Sequence, residues 1–370
     1  MSDQLINAKQ AAVLLGVSAP TFNKIREQYK LAEIKIGARI KFSKNEVLRI
    51  AGGKEPLPKA LPAAMKYSVM TENSILDLET SKDVFDLRSI QLIDPYGVIS
   101  LLCTLIHRCK EGYHTELLIE DNRTIKYLRS IGFFDELEAE CDGKIGWDRT
   151  LLKSTIAYQD ENTLVPIRGI KLKGNERIIA EKLIELLKKQ GFSISVGRKI
   201  AHILGELADN ALTHSAALIS QRKCFVLANR FLIGETNCII VGLADIGQGI
   251  HSSLKTNPKY KNHTDEKAFL EAFRPYVSSW DDSAGRGKGL TDVLGISMGN
   301  HSILRVDSGN LGLLMNFTED QQEDQQGIIS KRPLTDIPGT RYGVVLIDKV
   351  FDKRTREQVD QLIVQAIGKL

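Results

Sequence analysis

The polar residues with the clearest chemical spacing lie on a predicted helix in the second half of the chain. Glu206, Asn210 and His214 are four residues apart and share one stripe of this helix, whose apolar residues recur at three and four over 196–212. An Asn oxygen beside a carboxylate suits Mg²⁺, which also keeps water and phosphate oxygens as ligands. Glu206, one turn earlier, could deprotonate an attacking water or hydroxyl. A solvated polar face of an amphipathic helix is the alternative interpretation.

A second polar stretch, 245–249, follows an apolar run. Residues 238–244 are predicted to form a buried strand that ends at Asp245. There the carboxylate could accept a hydrogen bond from an exocyclic amine. Gly247 and Gly249 allow the backbone to turn tightly and to approach a flat base. A purely structural turn is the alternative.

The third stretch has three alternating glycines directly before a helix that is predicted over 290–298. Free backbone N–H groups at the start of a helix form an anion site. A dinucleotide-binding βαβ unit is excluded, because no strand leads directly into the glycines. A flexible surface loop remains the alternative. The stretch consists of Gly285, Arg286, Gly287, Lys288, Gly289 and Leu290, of which Arg286 and Lys288 add positive charge.

In this order, the three stretches resemble the signature of the Bergerat-fold ATPases. This family includes DNA gyrase, the heat-shock chaperone ATPases, histidine kinases and the anti-sigma-factor kinases. The resemblance covers roughly residues 172–350. Residues 338–346 also resemble the family's Gly-Thr before its last strand, and His214 matches a His that is frequent in the family.

The resemblance implies an α/β sandwich that binds ATP and Mg²⁺. It implies Asn210 on the metal, Glu206 as the general base, Asp245 on the adenine and a mobile lid over 251–284. The nucleotide-binding residues that it implies are Asn210, Asp245, Gly247, Gly249, Gly285, Arg286, Gly287, Lys288, Gly289, Leu290 and Thr340.

The N-terminal residues carry the basic excess of the chain. Residues 1–59 contain eleven Lys or Arg and five Asp or Glu, a net +6, although the whole chain carries only +4. The predicted elements are a helix over 7–15 capped by Asn7, a turn over 16–18, a helix over 19–28 capped by Ser18, a hairpin or wing over 34–42, and a helix opened by Ser43 and Glu46.

This pattern resembles the winged helix-turn-helix of excisionase and MerR-type DNA-binding domains. The resemblance implies DNA as a partner, with major-groove or phosphate contacts from Thr21, Asn23, Lys24, Arg26, Arg39 and Lys41. A protein-docking module and a solvated basic face are the alternatives, since a local charge excess is necessary for DNA binding but does not prove it.

The middle of the chain alternates predicted strands and helices, which indicates an α/β sheet. The strands are expected near 66–70, 83–86, 91–93 and 116–120, and the helices over 97–109 and 123–131. Residues 85–102 resemble a STAS domain, the fold of anti-anti-sigma factors. Those regulators have a phosphorylatable Ser just before the Gly that opens the helix, whereas this chain has Tyr96 before Gly97. We therefore expect a scaffold, a dimer surface or a fixed partner of the ATPase domain rather than a phosphorylation switch.

The composition indicates a globular protein of two or three domains. The chain has 370 residues, 42% of them hydrophobic, without an apolar run long enough to cross a bilayer or a secretory signal. Its five cysteines are odd in number and scattered, without zinc-site spacing, so we expect reduced, mostly buried thiols and a cytoplasmic location.

The sequence thus predicts a multidomain α/β protein. The expected parts are a winged helix-turn-helix (1–52), a linker (53–64), a STAS-like α/β domain (65–150), a GHKL-type ATP-binding domain with the Bergerat-fold α/β sandwich (165–350) and a C-terminal helix (351–370). The protein is expected to be a homodimer that acts as an ATP-driven regulatory switch. ATP binding or hydrolysis would control its binding to DNA or to a partner protein. A serine/threonine protein kinase of the anti-sigma-factor type is the alternative, and a partner-docking protein with a degenerate ATPase is a third class.

Overall fold

A computed structural model shows a multidomain mixed α/β protein with several sheets. It describes residues 5–28, 31, 33–36, 39–44, 47–48, 65–71, 75–81, 83–154, 161–171, 174–214, 223–233, 236–279, 287–318, 328–348, 361 and 364. The predicted linker over 53–64 and nearly all of the predicted C-terminal helix over 351–370 lie outside these residues.

The N-terminal part forms the two predicted helices and the predicted hairpin. Its elements are β1 (Leu5–Ile6), α1 (Ala8–Leu14), α2 (Ala19–Gln28), β2 (Ile34–Ile36) and β3 (Arg39–Ser43), with the sheet order β1-β3-β2. Asn7 caps α1 in a capping box with Gln10. Phe22 of α2 packs edge-to-face on Phe42 of β3, and both side chains are buried. The predicted cap at Glu46 lies outside the described residues.

The middle part contains the predicted alternation of strands and helices. Its elements are β4 (Met65–Tyr67), a 3₁₀ turn (Ile75–Leu78), β5 (Glu79–Ser81), β6 (Val84–Asp86), β7 (Ile90–Ile93), α3 (Pro95–Lys110), β8 (Thr115–Leu118), α4 (Arg123–Ser130), α5 (Phe133–Cys141), β9 (Ile145–Gly146) and α6 (Arg149–Ser154). Strands β4 and β7 pair in parallel, and the second sheet has the order β5-β6-β8-β9. Helix α3 is buried along nearly its whole length.

The second half of the chain is built on one long sheet. Its elements are β10 (Thr163–Ile170), α7 (Asn175–Lys189), α8 (Ile194–His214), β11 (Cys224–Ile233), β12 (Thr236–Asp245), α9 (Ile250–Leu254), α10 (Asp265–Glu271), α11 (Gly289–Gly299), β13 (Ile303–Asn316) and β14 (Ile328–Ile347). Within the described part of the chain, no helix has the length and apolar character to cross a membrane.

The five strands of this sheet are all antiparallel, in the order β10-β11-β12-β14-β13. Successive side chains of a strand point to opposite faces, and here both faces are apolar. On β11, Val226 and Ala228 join one core with α7, α8 and α11, whereas Phe225 and Leu227 join a second core with α3. The helices of the second half therefore cover one face of the sheet, and the middle part covers the other.

Two facing glycines let the start of α3 lie close to the sheet. Gly242 of β12 is directly opposite Gly343 of β14. A Cβ on Gly242 would overlap the Pro95 carbonyl and lie 2.8 Å from the Tyr96 nitrogen, and one on Gly343 would lie 3.0 Å from the Tyr96 Cβ. Larger residues on this face would push the helix off the sheet.

A buried polar cluster joins the middle part to the same face. The Tyr96 hydroxyl donates to Asp307, and the Arg305 guanidinium donates to Asp307 and lies 4.4 Å from the centre of the Tyr96 ring. Arg305 also donates to the backbone oxygens of Ser68 (3.2 Å) and Thr71 (2.6 Å). Such a cluster is tolerated in a core because its charges are paired and hydrogen-bonded.

Substitution of Gly242 by Ala should destabilise the protein. The added methyl group meets rigid backbone at the start of α3, so we expect a loss of about 1–3 kcal/mol or more in the free energy of unfolding, measured by urea denaturation. Gly205→Ala is the matched control, because a Cβ there has open space and Ala favours a helix. It should raise stability by about 0.5–1 kcal/mol. Equal stability of Gly242→Ala and the wild type would contradict this packing.

Candidate functional site

The structure brings the first and third polar stretches together. Glu206 and Asn210 lie on α8, and Gly289 begins α11. A Cβ on Gly289 would lie 2.6 Å from Glu206 Oε2 and 3.4 Å from Asn210 Nδ2. A side chain at this position would displace the Glu206 carboxylate from where it lies. His214 ends α8, and its side chain lies outside the described part of the chain.

The second stretch begins where β12 ends and is held by the last strand. Asp245 is buried, and its Oδ1 accepts the Gly247 N–H at 2.6 Å. Gly339 has φ +73°, and a Cβ there would lie 2.6 Å from the Asp245 carbonyl carbon. The backbone N–H of Thr340 also donates to the Asp245 carboxylate. The Gly-Thr pair before the last part of β14 thus lies against Asp245.

Ser308 on β13 holds three parts of the site and was missed in the sequence. Its hydroxyl accepts the Ile250 N–H at 2.8 Å, lies 3.2 Å from the Gly339 carbonyl and lies 3.3 Å from the Thr340 hydroxyl. Gly249, with φ +81°, fits only because it has no Cβ, which would lie 2.7 Å from Ser308 Oγ. A lone Ser in a long strand carries no motif, so only the pairing of β13 with β14 reveals its role.

The sequence did not predict the helices α9 and α10. Helix α10 lies within the predicted lid over 251–284, and α9 begins one residue before it. The segment ends against the glycine-rich stretch, where the Tyr276 N–H donates to the Gly287 carbonyl at 2.9 Å. Gly287 has φ +90°, and Lys288 Nζ lies 5.4 Å from the centre of the Tyr276 ring. Gly285 and Arg286 lie outside the described residues.

These residues surround an open cleft whose empty volume, including the solvent at its mouth, is about 670 Å³. Six of the predicted binding residues line it: Asn210, Asp245, Gly249, Gly287, Leu290 and Thr340. Apolar side chains of the predicted lid segment, including those of Leu254 and Val277, complete its wall.

The buried carboxyl of Asp245 is the most strongly perturbed acid that lines the cleft. Burial raises the pKa of Asp245 to about 7, although the N–H groups of Gly247 and Thr340 and the charge of Arg341 oppose the shift. At neutral pH this acid is therefore close to its midpoint. A ligand group that donates a hydrogen bond to it would favour the ionised form.

The predicted DNA-contacting residues lie on α2 and on the hairpin. Thr21, Asn23 and Lys24 are exposed on α2. Arg26 is half-buried and forms an ion pair with Glu33 at 3.4 Å, so a DNA phosphate or base would compete with this carboxylate. Lys41 is half-buried on β3, and Arg39 lies on the same strand with its side chain outside the described part of the chain.

No model of a known protein family matches the chain, and no curated protein matches it either.

The stability of the protein should depend on pH through Asp245. The folded pKa is about 7 and the ordinary value is 3.8, so the folded state holds a proton that the unfolded state releases between these values. Stability therefore falls as pH rises over this window, by at most about 1.4 kcal/mol per pH unit, and levels off above it. Urea denaturation between pH 5 and 8 should show this slope in the wild type and a smaller one in Asp245→Asn, in which Asp94, whose pKa burial raises to about 6, still contributes.

Asp265→Asn is the control for this measurement. A hydrogen bond from Lys255 lowers the pKa of the exposed Asp265. The contribution of Asp265 to the free energy of unfolding is therefore lost only at more acidic pH. Removal of Asp265 should leave the slope between pH 5 and 8 unchanged. An identical slope in the wild type and in Asp245→Asn would show that Asp245 does not titrate there.

Proposed function

We propose that the cleft binds ATP together with Mg²⁺ and that the protein is an ATP-binding regulatory switch of the GHKL type. The observation that carries the proposal is the convergence of three separate stretches. A polar helix stripe, a strand end with a buried acid and a glycine-rich helix start meet in one cleft. Each stretch alone has a simple structural explanation, but their meeting does not.

The inner end of the cleft suits an adenine. Asp245 supplies a buried acceptor for an exocyclic amine, and Thr340 supplies a hydroxyl beside it. Gly249 lines the cleft, and the missing Cβ atoms of Gly249 and Gly339 let this backbone pack closely against Ser308 and Asp245. Ile250 and Leu254 supply apolar surface for the ring faces.

The outer end suits phosphates and a hard cation. The start of α11 presents free N–H groups from Gly289 onward, and Lys288 adds positive charge at the same helix start. The Asn210 amide oxygen is the side-chain ligand that we assign to Mg²⁺. When bound, the metal neutralises part of the phosphate charge. Gly289 leaves the space into which Glu206 and Asn210 point.

Glu206 is the residue that we assign as the general base. Its carboxylate lies beside Gly289 at the start of α11, where the phosphates would be held, and can accept a proton from an attacking water. The start of α3, in contrast, is buried on the far side of the sheet, and the Tyr96 hydroxyl is engaged with Asp307. This arrangement argues against transfer to the middle part of the same chain, so the alternative kinase function would need a separate protein as acceptor.

We propose that the switch acts through the N-terminal part, which would bind DNA or a protein partner. Thr21, Asn23 and Lys24 form an exposed polar surface on α2, as a helix that enters the major groove requires. A module of this size binds weakly alone, so we propose a homodimer in which two such surfaces act together on DNA or on a protein partner.

Replacement of Asp245 by Asn should weaken the binding of Mg-ATP. If the Asn oxygen keeps the hydrogen bond from Gly247, its NH₂ group faces the exocyclic amine, and two donors then meet. The cost of such a mismatch is about 1–3 kcal/mol, so the affinity should fall roughly ten- to one-hundredfold in titration calorimetry.

Asp121→Asn is the matched control, because Asp121 is half-exposed in the middle part, where it forms an ion pair with Lys126 at 3.1 Å. It should bind Mg-ATP like the wild type. If folded wild-type protein produces no heat with any adenine nucleotide, the proposal is wrong.

Replacement of Glu206 by Ala should separate binding from turnover. The variant should bind Mg-ATP within a few-fold of the wild type and release no phosphate above background, because the general base is gone. Glu185→Ala, which removes an exposed acid of α7, should leave both unchanged. Free phosphate from the wild type supports the switch, whereas labelled phosphate on a partner protein supports the kinase. Full turnover in Glu206→Ala would refute the role of this residue.

A further inference from the structure

Glu206 also belongs to a second group of side chains that could bind a metal ion. His202 and Glu206 are four residues apart on α8, so they share one face of the helix. Asp292 reaches the same place from the first turn of α11. One ligand atom from each of the three side chains lies within 4.8 Å of the other two. The ATP-binding proposal makes no use of His202 or Asp292.

We propose that His202, Glu206 and Asp292 bind a first-row transition-metal ion such as Zn²⁺. Zinc is bound by imidazole nitrogens and carboxylate oxygens at about 2.0–2.2 Å, and sites with three protein ligands keep a fourth position for water. In a tetrahedral site, these bond lengths place two ligand atoms roughly 3.3–3.6 Å apart. His202 Nε2 and Asp292 Oδ2 lie 3.4 Å apart, which is the edge of such a tetrahedron.

The imidazole distinguishes this site from the one assigned to Mg²⁺. Mg²⁺ prefers oxygen ligands in octahedral geometry, so Asn210 and phosphate oxygens suit it and His202 does not. The two ions would therefore occupy different places, with Glu206 between them. The His202 side chain is 46% exposed, so an ion can reach the site from solvent without passing through the cleft.

The position of the ion has a consequence that depends on the proposed function. A carboxylate bound to a metal accepts a proton from water poorly, because the cation withdraws electron density from both oxygens and lowers their basicity. Zinc on Glu206 would therefore stop hydrolysis while Asp245, Asn210 and the glycine backbones stay available to ATP. The site would make turnover sensitive to zinc without changing the nucleotide-binding residues.

Thiols do not obscure a zinc titration of this chain. All five cysteines are free and buried, and burial raises the pKa of the Cys103 thiol to about 12. A thiol binds zinc as the thiolate, so buried and protonated thiols compete poorly. His114, exposed before β8 and far in sequence from α8, offers a matched single-imidazole control.

The binding test is calorimetric titration of ZnCl₂ into the metal-free full-length chain, without nucleotide and in millimolar Mg²⁺. One ion per chain should bind to the wild type. His202→Ala and Asp292→Asn should each weaken this binding at least about tenfold, whereas His114→Ala should not. Circular dichroism confirms that each variant is folded. Unchanged zinc affinity in folded His202→Ala, or no zinc binding to folded wild type, overturns the site.

The second test compares phosphate release with and without ZnCl₂ for each variant. Zinc should reduce release by the wild type and by His114→Ala, and the reduction should be relieved in His202→Ala. If zinc binds at this site and turnover is unaffected, the inhibitory role is wrong. If zinc binds as expected and no adenine nucleotide binds, the ATP-binding proposal fails while the metal site stands.

Discussion

The long antiparallel sheet is buried on both faces, and the rest of the second half of the chain depends on this constraint. On β12, Ile239, Val241 and Leu243 face the helices α7, α8 and α11, whereas Ile240 and Ala244 face the middle part. A sheet of this kind cannot lose either cover without exposing a row of apolar side chains to water. The cleft is formed at the end of one face, where Asp245 continues the same alternation beyond Leu243 and its buried carboxyl accepts the N–H groups of Gly247 and Thr340.

The local elements could be predicted from the sequence because their signals are local. The capping box at Asn7, the apolar spacing along α8 and the apolar run of β12 each depend on a few neighbouring residues. The two-sided burial could not be predicted in this way. A run of apolar residues shows that a strand is buried, but it does not identify the element that covers each face. Gly242 and Gly343 indicate that a helix lies close to this face, but only once the structure shows that the two glycines are opposite one another.

The same limit applies to the candidate site. Of the residues in the three stretches that the structure describes, most lie at the cleft. They could be predicted because each stretch contains glycines or polar side chains at the end of an element. Ser308, His202 and Asp292 were not found, since each is a single residue without a motif. Their roles depend on contacts between elements far apart in sequence, such as the hydrogen bond from Ile250 to Ser308. The pKa of Asp245 is likewise a property of burial, which a sequence does not contain.

The two faces of the sheet are not independent, because cross-strand neighbours alternate between them. Ser308 pairs with Thr340 on the side of the cleft, and the next pair along the strands, Asp307 and Arg341, faces the middle part. Asp307 accepts from Tyr96, and Arg341 donates to Thr104 at 2.9 Å, both on α3. A ligand that contacts Ser308 and Thr340 would therefore lie one residue along both strands from the buried charges that contact α3. This physical connection is what a regulatory function of the cleft would require.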